Sequence, residues 1–323
     1  MRTQAVPAYH LHAVYGLIVA SDMRLISAPE IADRTGDPSI RISVESPEYF
    51  DAFRPASIAH RDDWVQHAVL ADGGVFMKAE DVFETVISAD GRDVFCRKLG
   101  NVDQRSFEAN LLNFVLSASL TLQGEEPLHA TVVEVAPGRA VGLLGLSGAG
   151  KSTLAACLIS RGADLVTDDM LRMEFADDGV FAYPGPYRLK LFEEPGKRYL
   201  PEAVAHGYFN PVRGKIMVQP RRTIPPQRPP VRLSALFHLA DPAEYSSAGA
   251  TVSSSRLTGV ELAKVLISSA MDNRYAEARR LTRQIEFATR LAGALPIYEL
   301  RYPRSFDVME DVAAEIHRAM SKS

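Results

Sequence analysis

The run Gly145-Leu146-Ser147-Gly148-Ala149-Gly150-Lys151-Ser152 has the spacing G-x-x-x-x-G-K-S, and Asp168-Asp169 follow a short way downstream. The first pattern is a phosphate-binding loop, the Walker A or P-loop motif. Its glycines let backbone N–H groups close around phosphate oxygens, and the N-terminus of the following helix favours negative charge. Lys151 would then meet the β- and γ-phosphates, and the Ser152 hydroxyl would join Mg²⁺. Gly145, Ser147, Gly148, Ala149, Gly150, Lys151, Ser152 and Thr153 are therefore expected to hold ATP. Alone, the loop says only that a nucleoside triphosphate binds.

The aspartates narrow the reaction. A kinase needs a carboxylate to orient and deprotonate the acceptor hydroxyl beside the γ-phosphate. Asp168 and Asp169 stand at the end of a short apolar strand, Leu165-Val166-Thr167. Successive side chains of an extended segment point to opposite faces, so the two carboxylates are expected to differ in task. One would face the metal or the loop lysine, the other the acceptor; a solvated turn or a helix N-cap is the plainer alternative. Arg188 and Lys190 come after the next hairpin. They would meet the transferred phosphate or an acidic substrate if the chain turns back there, and otherwise form a solvated strand edge. Arg213, Lys215, Arg221, Arg222, Arg228 and Arg232 form a basic run with no Asp or Glu between Glu202 and Asp241. That run is either a solvated loop or a guide for an acidic peptide, with Arg221 and Arg222 as its central pair.

Positioning these groups requires strands and helices in alternation. Ala130–Val135, a Pro137-Gly138 turn and Ala140–Leu144 predict a hairpin that leads into the loop, and Leu154–Ile159 predicts the helix that leaves it. Arg161-Gly162 ends that helix. Val260–Ser268, Tyr275–Ala292 and Phe306–Met320 read as helices, Ile297–Leu300 as a strand, and Pro220–Pro230 as an extended proline-rich strap. The N-terminal third reads as β-rich, with strands at Ala13–Ala20, Gly74–Ala79, Phe83–Ser88 and Val94–Arg97, the last two joined by the turn Ala89-Asp90-Gly91-Arg92. Phe107–Leu120 carries almost no charge and predicts a largely buried helix. Gly124-Glu125-Glu126-Pro127 breaks the pattern. The expected division is a β-rich accessory domain over 1–124 and an α/β P-loop kinase domain over 125–323. His10, His12, His60 and His67 have no metal-ligand spacing.

Leu128-His129-Ala130, Gly145 to Thr153, Arg161-Gly162 and Leu165-Val166-Thr167-Asp168-Asp169 resemble the C-terminal domain of HPr kinase/phosphorylase. The pattern is closer still to the family's shorter bacterial relatives, which include kinases of lasso-peptide precursors. The clearest likeness spans some forty residues and continues more weakly through Tyr183–Leu191 and the C-terminal helices. The resemblance implies a P-loop domain related to phosphoenolpyruvate carboxykinase, Mg²⁺ and ATP as cofactors, and transfer to a serine hydroxyl. It makes Asp169 the proton acceptor, puts Asp168 near the metal with Ser152, and turns His129, otherwise a strand-end histidine, into an active-site residue. For a second acidic metal ligand it offers only Glu193 and Glu194. The chain departs from the family at Thr153, where HPr kinases commonly carry an acidic residue, and it lacks the long downstream signature tied to HPr docking and phosphorolysis. A different serine-bearing peptide or protein, with no efficient reverse reaction, is the substrate class this leaves.

Composition sets the remaining bounds. A chain of 323 residues with 46% hydrophobic residues suits a soluble protein of one large or two smaller domains. Its net charge of -4 does not suggest a nucleic-acid binder. Two cysteines make no disulfide framework and no metal motif. The N-terminus lacks a signal-peptide core, and no apolar run approaches the ~20 residues of a membrane span, so a cytoplasmic protein is expected, with a homo-oligomer left open. Two other readings share the loop: a small-molecule hydroxyl kinase and a nucleotide-binding component of a modification complex that transfers nothing. A transport ATPase would need a Leu-Ser-Gly-Gly signature and a later strand ending in Asp-Glu, neither of which is found.

Overall fold

Tyr15 and Gly16 both hold left-handed backbone, with φ of 54° and 71°. They split the apolar run Ala13–Ala20, expected as one strand, into an antiparallel pair joined by a two-residue turn. The computed structural model describes residues 9–32, 37–54, 64–212, 214–241, 251–272 and 278–321. His60, Arg213 and residues 275–277 of the expected helix lie outside them. The chain divides into two compact units, Met1–Glu125 and Glu126–Ser323.

The first unit contains β1 (His10–Val14), β2 (Leu17–Ser21), β3 (Ile40–Val44), α1 (Pro47–Asp51), β4 (Gln66–Val69), β5 (Val75–Ala79), β6 (Phe83–Ile87) and β7 (Asp93–Lys98). The strands form one sheet in the order β1-β2-β3-β7-β6-β5-β4, antiparallel except that β3 runs parallel to both its neighbours. A continuous helical segment follows: α2 (Gln104–Asn110), a π-helical turn (Leu111–Val115) and α3 (Leu116–Leu122). Leu111, Leu112, Val115, Leu116 and Leu120 are buried, and so are the polar residues Ser106, Glu108, Asn110, Asn113, Ser117, Ser119 and Thr121. Two of these groups tie the segment to the rest of the unit: the Glu108 carboxylate accepts from the backbone N–H of Ile26 and Ser27 at 2.6 and 2.7 Å, and the Ser119 hydroxyl donates to the Gly91 carbonyl. His12, fully buried, donates from Nδ1 to the Ala28 carbonyl and accepts from Leu25 N–H at Nε2, the pattern of a core histidine.

The second unit is mixed α/β. In chain order it has β8 (Thr131–Ala136), β9 (Arg139–Leu144), α4 (Lys151–Ser160), β10 (Asp164–Thr167), β11 (Met173–Ala176), β12 (Gly179–Ala182), β13 (Leu189–Leu191), α5 (Glu193–Tyr199), α6 (Pro201–Ala205), β14 (Tyr208–Asn210) and β15 (Lys215–Val218). Next come β16 (Val231–Leu239), β17 (Ser253–Arg256), α7 (Gly259–Ser269), α8 (Ala278–Ala294), β18 (Ile297–Arg301) and α9 (Met309–Ser321). The main sheet runs β10-β8-β9-β16-β12-β11, with β18 beside the C-terminal half of β16 and β17 beside β18. β9, β16 and β18 are mutually parallel. A small antiparallel sheet, β13-β15-β14, stands apart.

Both faces of the main sheet are covered, and the period-two alternation of its strands divides the core between them. Val133, Leu143 and Phe237 pack on one side with Leu154 and Leu158 of α4 and Val312 and Ile316 of α9. Their chain neighbours Val132, Leu144 and Leu236 pack on the other with Val265 of α7 and Ala288 and Leu291 of α8. This explains why these strands read as unbroken apolar runs. It also places β9 and β10 on either side of β8, so that the segments following them, with the glycine-rich loop and the aspartate pair, are held by one sheet.

Candidate active site

The loop after β9 turns on three glycines in left-handed backbone: Gly145 (φ 138°), Gly148 (φ 85°) and Gly150 (φ 92°), the last being the N-cap of α4. Other residue types are strained in that region, which is why the loop demands glycine there. Ser147 and Gly148 are exposed, Ala149 is buried, and Ser152 and Thr153 are partly buried in the first turn of α4. Lys151 begins that helix and folds back over the loop, its Nζ donating to the carbonyls of Gly145 at 2.6 Å and Leu146 at 3.1 Å. Burial pushes its pKa down to about 8, with the charge of Lys215 adding to the fall and those of Asp168 and Asp169 opposing it.

Asp168 follows the last residue of β10. One carboxylate oxygen accepts from the Thr131 hydroxyl at 2.7 Å and the other from the backbone N–H of Lys190 at 2.9 Å. It thus ties the start of β8 and the middle of β13 to the end of β10. Burial, and then the charge of Asp169, push its pKa up. Asp169 does not continue the strand: its φ is 69°, a left-handed conformation that an aspartate tolerates at a cost. The expectation of an extended pair facing opposite ways therefore fails at Asp169. What separates the two carboxylates is this backbone turn, which leaves Asp168 inside and brings Asp169 against Lys190, Nζ to Oδ2 2.5 Å. Burial opposes ionisation of Asp169, but Lys190, His129 and Arg188 outweigh it and hold the carboxyl well below its usual range.

His129 Nδ1 lies 2.9 Å from the main-chain carbonyl of Asp169. A carbonyl only accepts, so Nδ1 carries the proton and Nε2 of the neutral ring is an acceptor. Burial first, then Lys151, push the His129 pKa down to about 4, so the ring is neutral at pH 7. Arg188 and Lys190 are both 7% exposed, and β13 returns them to the aspartates rather than leaving them on a solvated edge.

The strap arginines have other partners. Arg222 pairs with Asp164 at 2.8 Å and Arg221 with Glu202 at 3.0 Å. The basic run is thus not without acidic neighbours, because they arrive from elsewhere in the chain. Glu193 and Glu194 are exposed on α5, and Glu193 is engaged by Lys197 at 2.5 Å.

Two neighbours of the loop and the aspartates were not singled out from the sequence, and a third was read only as part of the basic run. Arg304, beyond β18, donates to the carbonyl of Ala149 inside the loop and to that of Ala240 at 3.3 Å. A Cβ at Gly150 would stand 2.3 Å from its guanidinium and 3.4 Å from the Tyr302 hydroxyl. Thr131 anchors Asp168, and Lys215, which the linear run assigned to the strap, lies on β15 and is felt by Lys151. Only the fold brings these residues close, and none has a local motif.

Among the described residues no group of three His, Cys, Asp or Glu side chains could hold a metal unaided. Mg²⁺ bound with a nucleotide needs only one or two carboxylates besides phosphate and water. The carboxylates near the loop are Asp168, whose two oxygens accept from the Thr131 hydroxyl and the Lys190 N–H, and Asp169, which pairs with Lys190.

No protein-family model matches the chain, and no curated protein does. Among solved structures it is similar to the Hpr(Ser) kinase/phosphatase from Coxiella burnetii, with 11% identity over 61% of this chain and 99% of that one and a TM-score of 0.33. Nothing about activity follows from a likeness of that degree. No helix among the described residues is long and apolar enough to cross a membrane.

Proposed function

We propose that the chain is a phosphotransferase that moves the γ-phosphoryl group of ATP to a hydroxyl, with a serine of a peptide or protein as acceptor. The observation that carries this reading is the glycine loop with Lys151 folded over it, held by the same sheet as Asp169, whose carboxylate pairs with Lys190 and whose charge is felt at Lys151. In this reading the loop amides cradle the phosphates and Lys151 exchanges its carbonyl partners for β- and γ-phosphate oxygens. Ser152 and Asp168 would hold Mg²⁺, which would supply charge neutralisation across the phosphates. Asp169 orients the acceptor hydroxyl and takes its proton. Its depressed pKa makes it a weak base, which suits a loose transition state that asks for little proton abstraction early on. Lys190 and Arg188 keep Asp169 ionised and present positive charge to the phosphoryl group in transit. His129, neutral and bonded through Nδ1 to the Asp169 carbonyl, holds the backbone that presents this carboxylate. A precursor peptide of the lasso type is the substrate that the resemblance of the loop and aspartate motifs favours.

The test is incubation of the full chain with Mg²⁺, ATP and candidate precursor peptides, read by mass spectrometry. Gain of one phosphate at a serine supports the reading. Phosphorylation of free serine or sugars in preference to every peptide would replace the acceptor class, and ATP binding with no transfer to any hydroxyl would overturn the reading.

A further inference from the structure

The strap over residues 220–230 walls an open groove of about 630 Å³, which is completed by the β8–β9 turn and β12. The strap is fixed by its main chain: Leu165 N–H donates to the Arg222 carbonyl at 2.9 Å, and Ile224 N–H to the Leu165 carbonyl at 2.8 Å. Pro225, Pro229 and Phe181 supply apolar walls, and the proline rings bring no N–H that needs a partner. Arg228 and Arg232 also line the groove and are exposed, and among the described residues neither pairs with a carboxylate. Its one acidic wall residue, Glu134, is turned to the backbone, accepting from Gly138 N–H at 2.6 Å. The Arg232 guanidinium runs past Gly179, where a Cβ would stand 3.2 Å from its Nε. Arg221 and Arg222, by contrast, are already paired. In a chain of net charge -4, this leaves an apolar-walled groove with two unneutralised guanidiniums.

We propose that this groove docks an acidic, extended segment of the peptide substrate, with carboxylates against Arg228 and Arg232. That the segment belongs to a substrate rests on the kinase reading above; that it binds does not. β9 leads from the groove at Arg139 to the glycine loop after Leu144. At about 3.3 Å per residue this strand spans about 20 Å. An extended peptide covers about 3.3–3.6 Å per residue, so the docking segment lies at least about six residues from the phosphorylated serine. Guanidiniums at such sites pair bidentately with carboxylates, and complementary charge acts on both encounter and register.

The experiment measures binding without turnover. A fluorescent decapeptide of alternating Glu and Ala is titrated with nucleotide-free full-length protein at low salt, by anisotropy. Arg228→Glu with Arg232→Glu should weaken binding about tenfold or more, and Arg228→Gln with Arg232→Gln by less. The same charge change at exposed positions elsewhere, Arg256→Glu with Arg279→Glu, should leave it within about twofold. The loss should shrink at high salt, where the Debye length falls to about 3 Å at 1 M. No binding, equal weakening by the control pair, or tighter binding of a labelled single-stranded oligonucleotide would each overturn the proposal. With a phosphorylated peptide in hand, the Arg228/Arg232 pair should raise KM and spare kcat. Binding without any phosphate transfer would sink the kinase reading alone, and transfer with an unaltered KM would sink the groove alone.

Discussion

Lys151 allows the proposed nucleotide site to be tested without turnover. The residue is 7% exposed, and burial, aided by Lys215 and opposed by Asp168 and Asp169, pushes its pKa from 10.5 to about 8. In nucleotide-free protein at pH 8, about half of Lys151 is then neutral. Triphosphate oxygens at Nζ favour the charged form, so nucleotide binding should take up about 0.5 proton at pH 8, about 0.1 at pH 7 and about 0.9 at pH 9. Calorimetric titration in buffers of differing ionisation enthalpy gives this number directly. His129, with a pKa of about 4, is neutral across that range and adds little. Lys151→Arg should bind nucleotide without the uptake, because a guanidinium stays charged throughout. The same protonation affects stability. The folded pKa lies below the unfolded value, so the unfolded chain holds more protons between pH 8 and 10.5. The penalty for burying the ammonium is therefore complete below pH 8 and fades as pH rises through that window. At about 1.4 kcal/mol per pKa unit it is about 3 kcal/mol at pH 7. Lys151→Met should accordingly make the nucleotide-free protein more stable to denaturant, by up to about that amount, while losing nucleotide. Uptake near zero at pH 8 and 9, or equal uptake by Lys151→Arg, would refute the reasoning.

Asp169→Asn should keep most nucleotide affinity and lose about 10²–10⁴ in transfer rate, whereas Lys190→Met should let the Asp169 pKa rise and move the acidic limb of the pH–rate profile to higher pH; an unchanged limb would deny Lys190 that control. Gly150→Ala places a Cβ 2.3 Å from the Arg304 guanidinium on left-handed backbone. It should abolish nucleotide binding, and Arg304→Ala should restore it only in part, because the backbone strain remains; full recovery by calorimetry would assign the whole effect to the clash. Glu126, 5% exposed, receives both Arg280 and Arg283, and Arg280 is 1% exposed. Removing its charge with Glu126→Gln should cost about 3–5 kcal/mol in denaturant unfolding, and a loss below about 1 kcal/mol would mean that the pair is solvated.

The parts of the site that the sequence displays are those whose chemistry is local. The glycine loop declares itself because each left-handed position demands glycine, and the hairpin before it because Pro137-Gly138 sits between two apolar runs. The uncharged helix after Phe107 is buried, as expected, although its π-helical turn has no signature in residues 111–115. The Tyr15-Gly16 turn was hidden because two strands that share one apolar run look like a single longer strand. At the aspartates, the residue types were legible but the geometry was not. A left-handed φ at Asp169 follows from contacts with His129 and Lys190, far away in sequence or beyond a hairpin. Arg304 comes from the far end of the chain, and Arg221 and Arg222 find their acidic partners outside the basic run. Such pairings depend on sheet order, which linear spacing does not encode.

The hydrogen bonds between the strap and Leu165 also bear on solution behaviour. β10 ends the main sheet on one side, and a bare outer strand offers its unpaired N–H and C=O groups to any passing extended chain. Arg222 and Ile224 occupy both backbone groups of Leu165, midway along that border. The prolines that follow in the strap cannot donate to a newcomer. The segment that shapes the groove thereby also terminates the sheet, discouraging filament growth and strand exchange between copies while the loops at its other end stay open to ligands.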